Sequence, residues 1–377
     1  MPMTRKLLTL IVTCMLLPVW PVLADKPRDG MSYRFSFYGD NGNNLVIAPS
    51  VLLSKKLTDT YYLGTTAGVD AITSATKQAP KAPPAPGEEE EDEGGNFSYR
   101  IPVALWLTYD KNDDTLTGGG YYSYEDTYIG RSLFAAYTRR MNLNNTALGI
   151  SYSQSFDNWV PDRQLPTDQR SERLLDLTIS QLLSPRRSIL FTYSSLRSDG
   201  FLAQPTDSIV EYTPPIYAQY PEHRKGNAYA VQFITLLDNP TSLHAYYRYY
   251  RDDWGIQSDT VNLELYRDIS PTVMLGARYR YYRQSAAFFA KDLNTYTPSD
   301  TLVAVNYRMY AFHSNTVGVM AIIKPPKGFL SRFDPDKVKL KLSADVFTTS
   351  SHPNIQYQYD TDRLTGMFTT IALDYDF

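Results

Sequence analysis

The stretch 364–377 sets the terms for the rest of the chain. Read back from the end, alternate places hold Phe377, Tyr375, Leu373, Ile371, Thr369 and Met367, and the places between hold Asp376, Asp374, Ala372, Thr370, Phe368 and Gly366. One face is largely apolar and closes in two aromatics; the other is polar or small apart from Phe368. A two-residue period with unlike faces is the mark of a β-strand. A strand of a soluble antiparallel sheet alternates in the same way, so length is the second clue. The alternation lasts about ten residues, the length that crosses a bilayer as a tilted strand.

An apolar aromatic last residue, with apolar residues at every second place before it, resembles the end signal of bacterial outer-membrane β-barrels. On that reading Phe377, Tyr375 and Leu373 form the assembly signal, and the barrel-assembly machinery is the expected partner. The other end fits an exported chain. Arg5 and Lys6 supply a positive start, residues 7–17 an apolar run, and Val22-Leu23-Ala24 a small-residue cleavage site after Ala24. The apolar run is too short, and too broken by Pro18 and Pro21, to serve as a membrane helix. The single cysteine, Cys14, lies in this expected signal peptide of residues 1–24. The mature chain is therefore expected to hold together without disulfides.

Removing the signal leaves about 353 of the 377 residues, too many for one ordinary soluble core. No later apolar run is long enough for a membrane helix, yet the chain carries 31 Tyr, 16 Phe and 4 Trp. A Tyr-rich exported chain with alternating segments suits a transmembrane barrel, in which only every second residue meets lipid. The net charge of −3 argues against a nucleic-acid partner, as does export.

Alternation and turn chemistry mark seventeen strand-like runs: 32–38, 45–53, 60–68, 101–109, 116–124, 128–139, 146–156, 172–183, 188–196, 227–237, 243–252, 258–267, 272–282, 302–312, 316–323, 338–347 and the terminal run. A single-chain bacterial barrel has an even number. The break that reads as false is His313-Ser314-Asn315, which lacks Gly and Pro; joining 302–312 to 316–323 leaves sixteen. Pro102 asks for a strand starting at Val103 or for a bulge, because a closed barrel has no free edge for proline. With a periplasmic N-terminus, the long interruptions at 71–97, 157–171, 197–224, 285–300 and 348–363 fall outside. The turns at 54–59, 184–187, 238–240 and 268–271 then fall on the periplasmic side, the asymmetry expected of such barrels. The interruption 71–97 contains four prolines and the acidic run 88–93, and reads as a disordered, solvated loop. The expectation is thus an all-β, transmembrane, antiparallel up-and-down barrel spanning 25–377 in the outer membrane of a Gram-negative bacterium, with a soluble β-sandwich as runner-up.

Three segments carry a further resemblance: Tyr220-Pro-Glu-His-Arg224, Tyr249-Tyr-Arg-Asp-Asp-Trp-Gly-Ile256 and Arg280-Tyr-Tyr-Arg-Gln-Ser-Ala286. They resemble the bacterial family called domain of unknown function 3570, and Val69-Asp-Ala-Ile-Thr-Ser-Ala-Thr76 resembles its N-terminal Asp-Ala-Val-Ser-Gly-Ala-Ser motif, with Thr73-Ser74 in place of Ser-Gly. The resemblance extends over essentially the whole mature chain. It implies an outer-membrane barrel, a neighbourhood of periplasmic flavin-attachment and thioredoxin-like proteins, and no established activity.

Parity sorts the central side chains. Val261, Leu263, Leu265, Leu275, Ala277 and Tyr279 are expected to face lipid. Arg248, Glu264, Arg278, Arg280, Tyr282, Lys339, Lys341 and Asp345 are expected to line the lumen. A charged lumen of this kind either sets selectivity for anions or is a solvated network of paired charges. The four histidines, His223, His244, His313 and His352, lack metal-ligand spacing. His313 and Ser314 point to opposite faces of a strand and make no dyad, so no catalytic residue and no cofactor is expected. Two functions remain in view: a porin-like pore for small solutes or ions, and a non-enzymatic sheath for a periplasmic redox partner. A surface receptor or adhesin is a third.

Overall fold

Alternating runs joined by short polar turns can satisfy every backbone group inside a bilayer only if the sheet closes on itself. The computed structural model of the chain describes residues 28–74, 96–126, 128–159, 169–203, 207–209, 216–237, 240–325, 337–359 and 361–377. Sixteen antiparallel strands among them form one closed circuit. In chain order these are β1 (Gly30–Asp40), β2 (Leu45–Lys56), β3 (Tyr61–Gly68 continued by Asp70–Ser74), β4 (Asn96–Lys111), β5 (Asp114–Glu125), β6 (Tyr128–Met141), β7 (Thr146–Trp159) and β8 (Gln169–Ser184). The second half comprises β9 (Arg187–Gly200), β10 (His223–Leu236), β11 (Thr241–Asp252), β12 (Gln257–Ser270), β13 (Val273–Gln284), β14 (Phe312–Ile323), β15 (Val338–Thr349) and β16 (Thr365–Asp376). Each pairs with its sequence neighbours. The terminal strand β16 closes the circuit on β1, from Gly30 opposite Asp376 to Asp40 opposite Gly366.

The count of sixteen stands, but one run of the sequence reading does not. Strand β14 passes without interruption through His313-Ser314-Asn315 and starts at Phe312, directly opposite Gln284. Residues 302–311 are not strand. They hold a short 3-10 turn, Tyr307–Met309, inside a long connection. The reason lies in burial: Val303, Ala304 and Val305 are consecutive and all buried. A wall strand cannot bury consecutive residues, because every second one must face outward.

Two smaller expectations also change. Pro102 sits in the middle of β4 with no bulge. Register is the same on both sides of it, with Ala67 opposite Val103 and Asp70 opposite Arg100. The ladder merely lapses at Val69, beside the residue that has no N–H to give. The interruption expected at 71–97 is shorter at both ends, because Ala71–Ser74 complete β3 and Asn96 and Phe97 begin β4. The acidic run 88–93 and the signal segment with Ala24 lie outside the described residues.

The outward face is apolar along the wall. Leu263, Leu275 and Val319 stand 44%, 45% and 63% exposed, a surface that calls for lipid rather than water. Inward-facing neighbours are polar and more enclosed. At the end carrying both termini, most connections are tight, for example 112–113, 185–186 and 271–272. Asn112 there adopts φ 55, the left-handed conformation that a two-residue hairpin turn demands and Asn tolerates. The opposite end carries the long connections 201–222, 285–311 and 350–364; the last contains a helix of about two turns, α1 (Pro353–Tyr359).

Candidate functional site

The inner wall is built on ion pairs. Arg100 Nε lies 2.7 Å from Asp70, Arg140 2.7 Å from Asp110, Arg170 2.7 Å from Asp157 and Arg224 2.6 Å from Asp252. Charges so placed hold their ionised form only when paired and hydrogen-bonded, and neighbouring hydroxyls complete two of the sets. Thr115 accepts from Arg140 at 2.8 Å, and the Tyr128 hydroxyl from Arg170 at 3.1 Å. None of these pairs was legible in the sequence.

The residues expected to line the lumen fall into three groups. Arg278, Glu264 and Asp345 come together. Arg278 binds Asp345 through two nitrogens, Nε at 3.0 Å and Nη2, and lies 3.9 Å from Glu264. Gly318 of β14 sits in register between Arg278 and Asp345. A Cβ there would meet Asp345 Oδ1 at 1.8 Å, so the glycine leaves the gap through which β13 reaches β15. Glu264 also accepts from Asn262 (2.8 Å) and from the Tyr266 hydroxyl (2.6 Å), with His244 Nδ1 3.9 Å away. A second group pairs locally. Lys341 lies 2.6 Å from Asp374 and Lys339 3.6 Å from Asp376. The third group, Arg248, Arg280 and Tyr282, joins neither set. Arg248 lies over the Tyr250 ring at 5.4 Å, and the Tyr282 hydroxyl donates to Gln284 at 2.7 Å. At the chain end, the Phe377 ring packs edge-on to Tyr375 at 5.7 Å, Lys55 Nζ stands 4.7 Å from its centre, and Leu373 is exposed on the outer face.

At the mouth away from the termini, the long loops pack on one another over the part of the wall from β9 to β16. Tyr296, Val303 and Ala304 have no exposed surface. Around them Trp254, Phe289 and Tyr220 stack with ring centres 5.3–5.7 Å apart. The Tyr296 hydroxyl donates to Phe289 O at 3.0 Å and accepts from Ala304 N at 3.0 Å; the Tyr310 hydroxyl donates to Ala304 O at 2.7 Å. Polar links tie the three long connections together. Gln219 and Val303 exchange backbone hydrogen bonds of 3.0 and 2.8 Å, and Asn354 of α1 donates to Val305 O at 2.9 Å. Asn306 donates to Asp207 at 3.2 Å. This cap is fastened to the neighbouring strands β13–β16. Inward-pointing Gln284 donates to Arg308 O (2.7 Å) and Tyr310 O (2.8 Å) on one side. Tyr307 packs with Ile355, Leu364, Phe312 and Phe347 on the other. Asp207 is buried with that single amide donor. Burial pushes its carboxyl up to about 6, against the pull of Asn306 and the Arg308 charge.

Residues 158–330 match the model of a family described as a protein of unknown function, DUF3570. That stretch, just under half of the chain, is similar to DUF3570. The match is narrower than the resemblance suggested: it runs from the end of β7 past β14, and Val69–Thr76 lies outside it. Within the DUF3570 stretch, the three quoted segments converge on the seat of the cap. Tyr220 is one of its stacked rings. Arg224 pairs with Asp252 and lies 4.6 Å over Trp254, whose indole N–H donates to His223 O at 2.8 Å. Gln284 anchors the loop, and the Ser285 hydroxyl donates to Gly255 O at 3.0 Å. Outside the segments, Asp70 of the N-terminal motif is the buried partner of Arg100.

No curated protein matches the sequence. Among solved structures, the barrel is similar to a bacterial polysaccharide outer membrane secretin, with a TM-score of 0.52 at 8% identity over 93% of this chain and 100% of that one. A loop-deletion mutant of OmpT, an outer membrane protein of Vibrio cholerae, gives 0.48 at 9% over 92% and 98%. A BenF-like porin from Pseudomonas fluorescens Pf-5 gives 0.46 at 8% over 93% and 99%. At such identities the likeness concerns the fold alone.

Proposed function

We propose that this barrel is a porin-like passage for small water-soluble solutes across the outer membrane of a Gram-negative bacterium. The end carrying both termini faces the periplasm, and the cap covers the external mouth. The observation that carries the reading is the contrast between the two faces of one closed ladder: an apolar exterior, and an interior lined with Arg, Lys, Asp, Glu, Ser and Thr. Sixteen strands enclose a bore wide enough for water, and inward charges such as Arg278 and Lys341, with side chains 36% and 48% exposed, stay open to it. The cap adds control over entry. Its packed core makes it a discrete body that stays shut or swings aside as a unit.

Liposome swelling tests the reading. Vesicles containing the purified chain should swell in neutral sugars, fastest for the smallest, and faster still when residues 287–310 are replaced by a short turn. Swelling no faster than protein-free vesicles in both cases would refute passage.

A further inference from the structure

The arginines that point inward from β4 to β13 divide into two sets. Arg100, Arg140, Arg170, Arg224 and Arg278 each pair with an aspartate. Arg248 and Arg280 have no carboxylate within ion-pair distance among the described residues. They are also neighbours. Across β11, β12 and β13 the register sets Tyr246, Asn262 and Arg280 in one row and Arg248, Thr260 and Tyr282 in the next. The two arginines therefore stand on a diagonal, about 12 Å apart at Cβ from strand spacing and rise, over the short side chains Thr260 and Asn262. Tyr246 and Tyr282 each lie within electrostatic range of both guanidinium groups, and Arg280 lies within range of Arg248 and Arg278.

Like charges held together at a partly enclosed wall repel, and the wall supplies no anion between them. Every other inward arginine from β4 to β13 has its own aspartate, so within these strands the omission is confined to this patch. Guanidinium groups bind carboxylate and phosphate oxygens through paired N–H donors, and phenol hydroxyls donate to the same oxygens. We infer that Arg248 and Arg280, with Tyr246, form a binding site for a small oxyanion, a carboxylate or phosphate, on the lumen wall beneath the cap. The inference rests on the reading of a water-filled lumen, through which the anion arrives, and it names the class of solute that pauses there.

The test uses the full mature chain in detergent, so that it does not depend on conductance. Melting is followed while inorganic phosphate or acetate is added, with chloride at matched ionic strength as the control for screening. A saturable rise in melting temperature beyond that of chloride is expected for at least one oxyanion; the one that saturates lower distinguishes a phosphate from a carboxylate site. The rise should vanish in the double variant Arg248→Gln, Arg280→Gln and persist in Arg34→Gln, which removes an inward cation on β1. A second reading guards against misfolding. In buffer free of oxyanions the double variant should melt at or above the unmodified chain, because the repulsion is gone. A response equal to chloride, a rise unchanged in the double variant, or a double variant that melts lower in oxyanion-free buffer would overturn the site. A barrel that never conducts, yet shows the saturable rise, would sink the passage and leave the site standing.

Discussion

Asp207 makes the cap sensitive to pH in a direction that can be worked out. Its carboxyl moves from an ordinary value of 3.8 to about 6 when the cap is closed. A raised carboxyl favours the closed cap when protonated, so its stabilisation is full below about pH 4 and is lost as pH rises through about 6. Between about pH 7 and about pH 5 the closed state should gain roughly tenfold, about 1.4 kcal/mol. The groups facing Asp207 are Asn306, which donates to it, Arg308, whose charge favours the ionised form, and Tyr220, whose buried phenol stays neutral. His352 opposes the effect. Burial lowers its pKa, and its Nδ1 accepts from Asn354 N at 3.1 Å, so charging it in acid weakens the cap. Hydrogen exchange over residues 287–310, corrected for intrinsic rates, reads the balance. Protection should rise on acidification in the unmodified chain and should fall or stay level in Asp207→Asn, which keeps His352 and loses the carboxyl. Equal pH dependence in the two chains would refute the reasoning.

Other consequences follow from the wall. Leu263→Arg and Leu275→Arg place a charge on the lipid face, and each should cost roughly 2–4 kcal/mol near the midplane, read as loss of the heat-modifiable form on gels. Arg278→Ser leaves Asp345 and Glu264 without their cation and should cost about 1–3 kcal/mol, towards the low end because lumen water screens a guanidinium that is about one-third exposed. Gly318→Ala should lower the melting temperature similarly by driving Asp345 off Arg278, and Asp345→Ser in the Arg278→Ser background should recover part of the loss. Deleting Phe377 should reduce the amount of folded barrel reaching the outer membrane; normal levels in a fractionation experiment would show that the terminal aromatic is not an assembly signal.

The wall was legible in the sequence because its rule is local. A two-residue period needs only neighbours, so the outward Leu263, Leu265 and Leu275 and the strand count emerged from residue order. The cap was not legible, because 302–312 looks like strand by composition: Leu302-Val-Ala-Val305 is a short apolar run, which periodicity cannot assign to wall or to core. Its lack of alternation was the available signal. The ion pairs were hidden for a different reason. Arg278 and Asp345 are on strands two apart, and their contact depends on Gly318 opening the space between. Arg100 and Asp70 needed the register on both sides of Pro102. The resemblance at 220–286 pointed to the right place without showing why; the structure makes those residues the footing of the cap.

The most direct test of a capped, water-filled barrel is the conductance of the purified chain in a planar bilayer, compared with that of a chain in which residues 287–310 are replaced by a short turn. The ends to be joined are already close, since Gln284 faces Phe312 across β13 and β14. Discrete conductance steps are expected from both chains, larger and less interrupted once the cap is gone. Silence from both, with the barrels inserted and heat-modifiable, would contradict the account.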